Sequence, residues 1–429
     1  MELCLSNIGK IRSACVEING ITVIAGENNT GKSTVGKALF AVFNSFYSSE
    51  KKIATERQNS IRNQLQMLFR KTSGDLYFEI DDADLARNIV ALAKKHNVSG
   101  DGNQAHDTLK GAISQLIVHY DDRLSQEINE ADIDEFSENI TVLLEVTDEI
   151  IFRTVLQRRL DAEFNTQISN VYADGEPGKI TIGIRGEKIN IDISGDKVMT
   201  LDKRISLGTE AIYIDDPFIL DEVPFSRYWG YSRYSDHRTH LKHKLDFTQR
   251  EANVVEEIVA NSKLDYIYHK VSSVCAGDIV KGKRSNLNYK VAGSDTTLDV
   301  RNLSTGLKTF VILKMLLVNG RIEANGTIIL DEPEIHLHPE WQLLFAELIV
   351  LLHREFGLHI LLNTHSPYFL NAIEVYAAKY QVEDKCKYYL ARNIDNVSTL
   401  DDVTDNIEEI YSKLAKPLQE LENERYRYD

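Results

Sequence analysis

Long apolar runs and cysteine are scarce in this chain of 429 residues and net positive charge is lacking, and each shortage excludes a class of protein. A membrane-spanning helix needs about 20 consecutive apolar residues. The longest apolar run here, Leu343 to Leu352, is interrupted by Glu347. The first residues, Met1-Glu2-Leu3-Cys4, lack the basic flank and apolar core of a signal peptide. A transporter with its own membrane domain is therefore not expected, and the cytoplasm is. The four cysteines, Cys4, Cys15, Cys275 and Cys386, show neither metal-ligand spacing nor a disulfide framework, which suits a reduced compartment. A formal charge of −16 argues against a surface that coats DNA. Internal repeats and low-complexity tracts are absent. What remains is 43% hydrophobic, ample for a substantial core and more than one domain.

Against that background one stretch stands out. Gly26-Glu27-Asn28-Asn29-Thr30-Gly31-Lys32-Ser33-Thr34 is a phosphate-binding P-loop. It follows the apolar strand Ile21 to Ala25 and opens a helical pattern with Val35, Leu39, Val42, Phe43 and Phe46 on one side. The glycines let the backbone wrap phosphates, so that N–H groups and the helix N-terminus face the negative charge. Lys32 then reaches the β- and γ-phosphates, and the Ser33 hydroxyl ligates Mg²⁺. The chain is expected to bind ATP with Mg²⁺.

About three hundred residues downstream, Gly326 to Pro333 reads as a buried parallel strand ending in Asp331 and Glu332. Open α/β sheets place their ligands at such carboxyl ends. Asp331 is expected to hold Mg²⁺, directly or through its waters, and Glu332 to act as general base on the attacking water. Further on, Leu303-Ser304-Thr305-Gly306-Leu307-Lys308 precedes a helical pattern, with Ser304 at the N-cap. A helix N-terminus is an anion site, and a second one beside a P-loop suggests a different job. Ile360 to Pro367 is another apolar strand with a polar end, carrying His365.

In these elements the sequence resembles the ATP-binding-cassette ATPases, whose signature begins Leu-Ser-x-Gly. The resemblance implies that Ser304 and Gly306 contact the γ-phosphate held by the P-loop of a second protomer, so that ATP is sandwiched in a homodimer. It also implies that His365 is the switch histidine that senses the γ-phosphate and orients the water. Glu334-Ile335-His336-Leu337-His338-Pro339 admits a metal reading, with two histidines flanked by carboxylates. The resemblance explains it better, because cassette ATPases of the RecF, SMC and OLD kind carry Asp-Glu-Pro-Glu-x-His-Leu-His-Pro in the loop that crosses the dimer interface. A glutamine-loop residue stays open among Gln58, Gln64 and Gln66.

The expected fold class is α/β, a P-loop NTPase of cassette head type with an antiparallel β subdomain and an inserted helical lid. Residues 1–46 and 286–429, with strands from about 167–216, form the nucleotide-binding domain. Residues 1 to about 46 read as two strands, the P-loop and its helix. Residues 50–165 form the lid, which has no long heptad array and is shorter than an SMC coiled coil. Residues 217–285 are a mixed, mainly helical insertion, helical from Thr248 to Val274. Arg185-Gly186-Glu187 marks a hairpin turn. After His365 the sequence offers one strand-like piece, Tyr388 to Leu390, and a helix around Asn406 to Glu424.

Charge is unevenly spread. Asp121 to Glu149 carries a net −10 and Lys51 to Lys71 a net +5, both expected as solvated helix faces. The basic stretch could also track a phosphate backbone or a neighbouring subunit's acids. The region after His365 is too short for the nuclease domain of OLD-family ATPases and has no Asp-x-Asp pair. Arg238-Thr239-His240-Leu241-Lys242-His243 matches the Arg-x₄-His spacing of HEPN-type ribonucleases, though a basic cluster meeting phosphates or acids is the simpler reading.

The chain as a whole is similar to the stand-alone cassette ATPases of bacterial anti-phage defence and retron operons, the Septu-type and PARIS-type ATPases among them. The Leu3 to Ile11 and Asp402 to Ile407 segments carry that likeness. It implies an ATP-hydrolysing sensor that controls a separately encoded nuclease or toxin, with nucleic acid bound weakly or indirectly. Two other functions stay open: a RecF-like DNA-repair ATPase acting on DNA, and a self-contained RNase toxin using Arg238 and His243.

Overall fold

Ile21–Ala25, Thr327–Asp331 and His359–Thr364 are largely apolar because they sit side by side inside one large sheet, covered on both faces. The computed structural model describes residues 1–71, 81–95, 103–120, 128–173, 175–222, 235–245, 266–282 and 287–428. Fourteen strands are described: β1 (Glu2–Ile8), β2 (Ile11–Glu17), β3 (Ile21–Ala25), β4 (Gly178–Ile184), β5 (Glu187–Ser194), β6 (Lys197–Leu201), β7 (Ala211–Ile214), β8 (Asp278–Lys281), β9 (Leu287–Lys290), β10 (Thr297–Asp299), β11 (Thr327–Asp331), β12 (His359–Thr364), β13 (Cys386–Ile394) and β14 (Val397–Asp402). The described helices are α1 (Lys32–Phe46), α2 (Ser49–Phe69), α3 (Asp82–Lys95), α4 (Asn103–Tyr120), α5 (Glu130–Glu145), α6 (Asp148–Phe164), α7 (His237–Leu245), α8 (Thr305–Val318), α9 (Pro339–Phe356), α10 (Pro367–Lys379) and α11 (Glu408–Tyr428), with a further helical stretch at 266–274.

The large sheet has eleven strands in the order β6-β5-β4-β1-β2-β14-β13-β3-β12-β11-β7. From β13 through β3, β12 and β11 to β7 the strands are parallel. From β2 outward through β1, β4, β5 and β6 they are antiparallel. The fold is thus mixed α/β, with a parallel part and an antiparallel β part. The antiparallel strands alternate, as in β5, because only one of their faces is covered. Arg185 and Gly186 turn β4 into β5 with φ of 52° and 82°, the left-handed pair a two-residue hairpin demands.

The chain divides into two units, Met1–Tyr47 with Leu156–Asp429, and Ser48–Val155. The second is helical, with its own core of residues such as Leu65, Ile89, Ile113 and Ile140. The first buries α8, α9 and α10 with the parallel strands, through Phe310, Leu316, Phe345, Leu348 and Leu362 among others. No described helix is long and apolar enough to cross a membrane.

Three expectations need correction. The chain before α1 holds three strands rather than two, because Leu3 to Glu17 folds as a hairpin through Gly9 before β3 begins. The region after His365 holds a full hairpin, β13–β14, where a single strand-like piece was expected. Its turn, Asp395-Asn396, has positive φ at both residues without a glycine to announce it. Cys4 and Cys15, read as unconnected, are joined in a disulfide: the hairpin register sets them directly opposite each other, with Cα atoms 4.0 Å apart. Of the helix expected from Thr248 to Val274, residues 246–265 lie outside the described residues.

Candidate functional site

β3 delivers Gly26 at its carboxyl end, and the chain turns through Asn29 (φ 64°) and Gly31 (φ 77°) into α1, which begins at Lys32. A Cβ on Gly31 would sit 2.7 Å from Ile11 Cδ1, and one on Gly26 2.9 Å from the Ala391 carbonyl oxygen. The loop is therefore pressed against β2 and β13 where only glycine fits. Thr30 Oγ1 donates to the Glu27 carbonyl at 2.8 Å and closes the turn. Glu27, Asn28 and Asn29 are exposed at its rim, while Ser33 and Thr34 are half-buried in the first turn of α1, where the Thr34 N–H donates to the Gly31 carbonyl at 3.0 Å. Lys32 is only 4% exposed; its Nζ donates to the carbonyls of Gly26 at 3.0 Å and Glu27 at 2.9 Å. That fixes a positive charge inside the loop.

The same Nζ lies 3.4 Å from Glu332 Oε1, and that oxygen is also 3.4 Å from His365 Nδ1. Lys32, Glu332 and His365, about 330 residues apart at the extremes, thus converge on one point because β3, β11 and β12 are adjacent and parallel. Glu332 adopts φ 51°, and its N–H donates to the Asn363 carbonyl at 3.0 Å. A non-glycine residue held in that region costs about 1–3 kcal/mol and persists where its surroundings over-determine it.

Asp331 is gripped on both oxygens. Tyr213 Oη donates to Oδ2 at 2.8 Å, and Asn363 Nδ2 to Oδ1 at 2.9 Å. Tyr213 is fully buried on β7, and burial followed by the Asp331 charge raises its pKa well above the ordinary value. Gly36 of α1 makes room for it, since a Cβ there would lie 3.1 Å from Tyr213 Oη. Behind Tyr213, His237 stacks on its ring at 4.2 Å. His237 Nδ1 is 2.7 Å from Glu163 Oε2 and Nε2 is 3.2 Å from Asp215 Oδ2. Burial opposes charge on this imidazole, but its bonds to Asp215 and Glu163 outweigh it and raise the pKa to about 9. Tyr213, Asn363, Glu163 and His237 escaped the sequence reading. The available signal was Asp215-Asp216 at the end of the apolar strand Ala211 to Ile214, the same pattern that marks Asp331-Glu332.

An open cleft of about 370 Å³ is lined by Ser33, Asp331, Tyr213, Asp215, His237 and Arg238, among others. A hydroxyl and a carboxylate meeting in one cleft are the hard oxygen donors that suit Mg²⁺.

Ser304 and Gly306 stand elsewhere. Ser304 caps α8 by position, is exposed, and makes no side-chain cap bond, so its hydroxyl is not used by its own helix. Gly306 is buried against the turn after β11: a Cβ on it would lie 2.8 Å from the His336 carbonyl oxygen and 3.2 Å from the Trp341 ring. Lys308 of the same helix is 2% exposed and pairs with Asp221 at 2.6 Å. His336 and His338 are exposed, and His336 meets the Phe218 ring edge-on. Among the described residues the one group with metal-ligand spacing is Glu2, Cys4 and Cys15, whose thiols form the disulfide.

The remaining candidates are occupied within the chain. Arg238 binds Asp215 at 3.0 Å and Asp216 at 3.2 Å, and lies 3.4 Å from Glu222. His243 lies on the same helix, α7. In the Ser48–Val155 unit, Arg57 pairs with Asp148 at 2.8 Å, Arg62 with Asp82 at 2.7 Å, and Lys71 with Asp132 and Glu135. Arg57 and Lys71 of the basic stretch therefore meet the acidic one of their own unit, while Arg62 meets Asp82 outside it. Gln58, Gln64 and Gln66 are all on α2, where Gln66 Nε2 donates to Asp82 at 2.7 Å.

A family model described as AAA ATPase domain matches residues 1–370. The chain is similar to the Retron Vc95 probable ATPase of Vibrio cholerae serotype O1 biovar El Tor, 25% identical over 139 residues, which is 30% of this chain and 24% of that protein. It is similar to the Retron Ec83 probable ATPase of Escherichia coli, 29% identical over 22% of this chain and 19% of that one. The OLD nuclease of Thermus scotoductus (strain ATCC 700910 / SA-01) is 30% identical over 20% of this chain and 16% of its own length. The matched stretch spans a quarter or less of each of these relatives. Among solved structures, the SMC head domain from Thermotoga maritima aligns over 94% of this chain and 98% of its own, at 12% identity and a TM-score of 0.38.

Proposed function

The chain belongs to the AAA ATPase domain family, and from that premise we propose that it hydrolyses ATP between two copies of itself and thereby controls a separately encoded effector. The observation that carries the reading is the meeting of Lys32, Glu332 and His365 within 3.4 Å contacts at the end of the P-loop strand, with Ser304 exposed on a different helix. Each protomer holds a complete set of groups for binding and water activation, and offers a further anion site to something outside itself.

In this account the backbone of Gly26 to Thr34 and the Lys32 ammonium take the phosphates, and Ser33 with Asp331 holds Mg²⁺. The ion, when bound, offsets charge on the β- and γ-phosphate oxygens. Once the γ-phosphate takes up Lys32, Glu332 is released to accept a proton from the attacking water, and His365 positions that water. Ser304 and Gly306 of the second copy close over the γ-phosphate. ATP then binds the closed pair better than the open one, by about 2.7 kcal/mol at a hundred times its dissociation constant. Hydrolysis resets the pair. The effector, a nuclease or toxin in an anti-phage system, is held on the helical unit and restrained or released with nucleotide state. The retron relatives' names support the setting. The pairing of Arg57, Arg62 and Lys71 with acids of their own unit weakens the case for direct DNA repair, and the carboxylates around Arg238 weaken the RNase reading.

The test is the distance between protomers, measured by spin labels with and without ATP. Glu332→Gln should close in ATP and stay closed, while Ser304→Arg should bind ATP yet remain open. An unchanged distance in Glu332→Gln, with Ser304→Arg hydrolysing ATP normally, would exclude the sandwich.

A further inference from the structure

Glu334 lies two residues beyond Glu332 in the turn between β11 and α9, and is 2% exposed. No step of the proposed chemistry uses it. Its Oε1 accepts from Thr364 Oγ1 and from the His365 backbone N–H at 3.3 Å, while Oε2 is buried with no partner among the described residues. The turn that carries it is anchored as well: Gln342 Nε2 donates to the Glu334 carbonyl at 3.3 Å and to the Leu337 carbonyl at 3.0 Å. Thr364 is fully buried, and its hydroxyl oxygen accepts from the Ser366 N–H at 3.0 Å. One carboxyl group therefore ties the turn after Glu332 to both residues that aim the His365 ring.

We propose that Glu334 is a positioning residue for ATP hydrolysis, holding the Thr364–His365 turn so that the imidazole stays beside Glu332. This rests on the ATPase reading. The bond from Thr364 crosses the gap between two strand ends, so its loss frees the segment whose His365 Nδ1 lies 3.4 Å from Glu332 Oε1. Burial raises the pKa of this carboxyl group, and the bonds from Thr364 and His365 oppose that in part.

The experiment compares steady-state ATP turnover in the full chain for Glu334→Ala, Glu334→Gln, Thr364→Val, His365→Ala and the Glu334→Ala/His365→Ala pair, with ATP binding measured separately. A misplacement near 1 Å can cost about a hundredfold, so Glu334→Ala is expected to lower kcat about 10- to 100-fold with KM within about threefold. The amide of Glu334→Gln supplies the same acceptor and should keep kcat within about threefold of wild type. Because Glu334 acts through His365, adding Glu334→Ala to His365→Ala should cost less than about threefold more. Wild-type kcat in Glu334→Ala, a Glu334→Gln as slow as Glu334→Ala, or losses that multiply in the double variant would each overturn the assignment. If Glu334→Ala does not fold, the isosteric Thr364→Val decides: a lowered kcat supports the proposal and an unchanged one overturns it. A wild-type protein that binds ATP without turning it over would instead remove the ATPase reading beneath.

Discussion

Titrating His237 should weaken the nucleotide-binding unit. The imidazole sits between Glu163 and Asp215, against Tyr213, with the Arg238 guanidinium nearby on the same Asp215. Its pKa is raised from 6.5 to about 9 in the folded chain. The folded state therefore binds this proton more tightly than the unfolded state does. The associated stability is fully present below pH 6.5 and is lost as pH rises through about 9. At about 1.4 kcal/mol per unit the contribution is about 3 kcal/mol, an appreciable share of a domain's total. Urea unfolding at intervals from pH 6 to pH 9.5, for wild type and His237→Gln, isolates it from every other titrating group. The stability gap between the two proteins should shrink by about 3 kcal/mol across that range. A gap that stays constant would mean that folding does not raise the His237 pKa and that its contacts with Glu163 and Asp215 do not favour the charged ring.

Other expectations follow from the site. Lys32→Ala should weaken ATP binding at least about a hundredfold, because a fixed charge and its bonds are lost; calorimetric affinity within threefold of wild type would contradict this. Tyr213→Phe removes the donor to Asp331 Oδ2 and should raise the Mg²⁺ needed for half-maximal turnover about tenfold; an unchanged Mg²⁺ dependence would separate Asp331 from the metal. Gly306→Val places atoms within 2.8 Å of the His336 carbonyl and should destabilise the chain by about 1–3 kcal/mol in thermal melts; unaltered melting would mean that α8 is free to shift.

The loops at the ends of β3, β11 and β12 were legible because each is a strand end with a fixed residue pattern. β3, β11 and β12 are covered on both faces, so their sequences are largely apolar and end where charge begins. The groups that support them were not, because Tyr213, His237 and Glu163 come from three separate segments brought together only by the sheet order and the return of α7. The β13–β14 hairpin hid behind a turn without glycine and a second strand, Val397–Asp402, that is half polar. Cys4 and Cys15 looked unrelated because strand register, not spacing, puts them opposite each other. The basic and acidic stretches were each visible as charge, but only packing of α2 with α5 shows that Lys71 answers Asp132 and Glu135.

The central claim is that Glu332 is the base for a hydrolysis reaction whose substrate is held by Lys32, and the most direct measurement is single-turnover ATP hydrolysis by Glu332→Gln beside its ATP affinity. An amide keeps the shape of the side chain and cannot accept the proton, so affinity should be retained while turnover falls about 10²–10⁴-fold. Turnover within about twofold of wild type, with ATP bound normally, would contradict the account, since general-base losses are far larger.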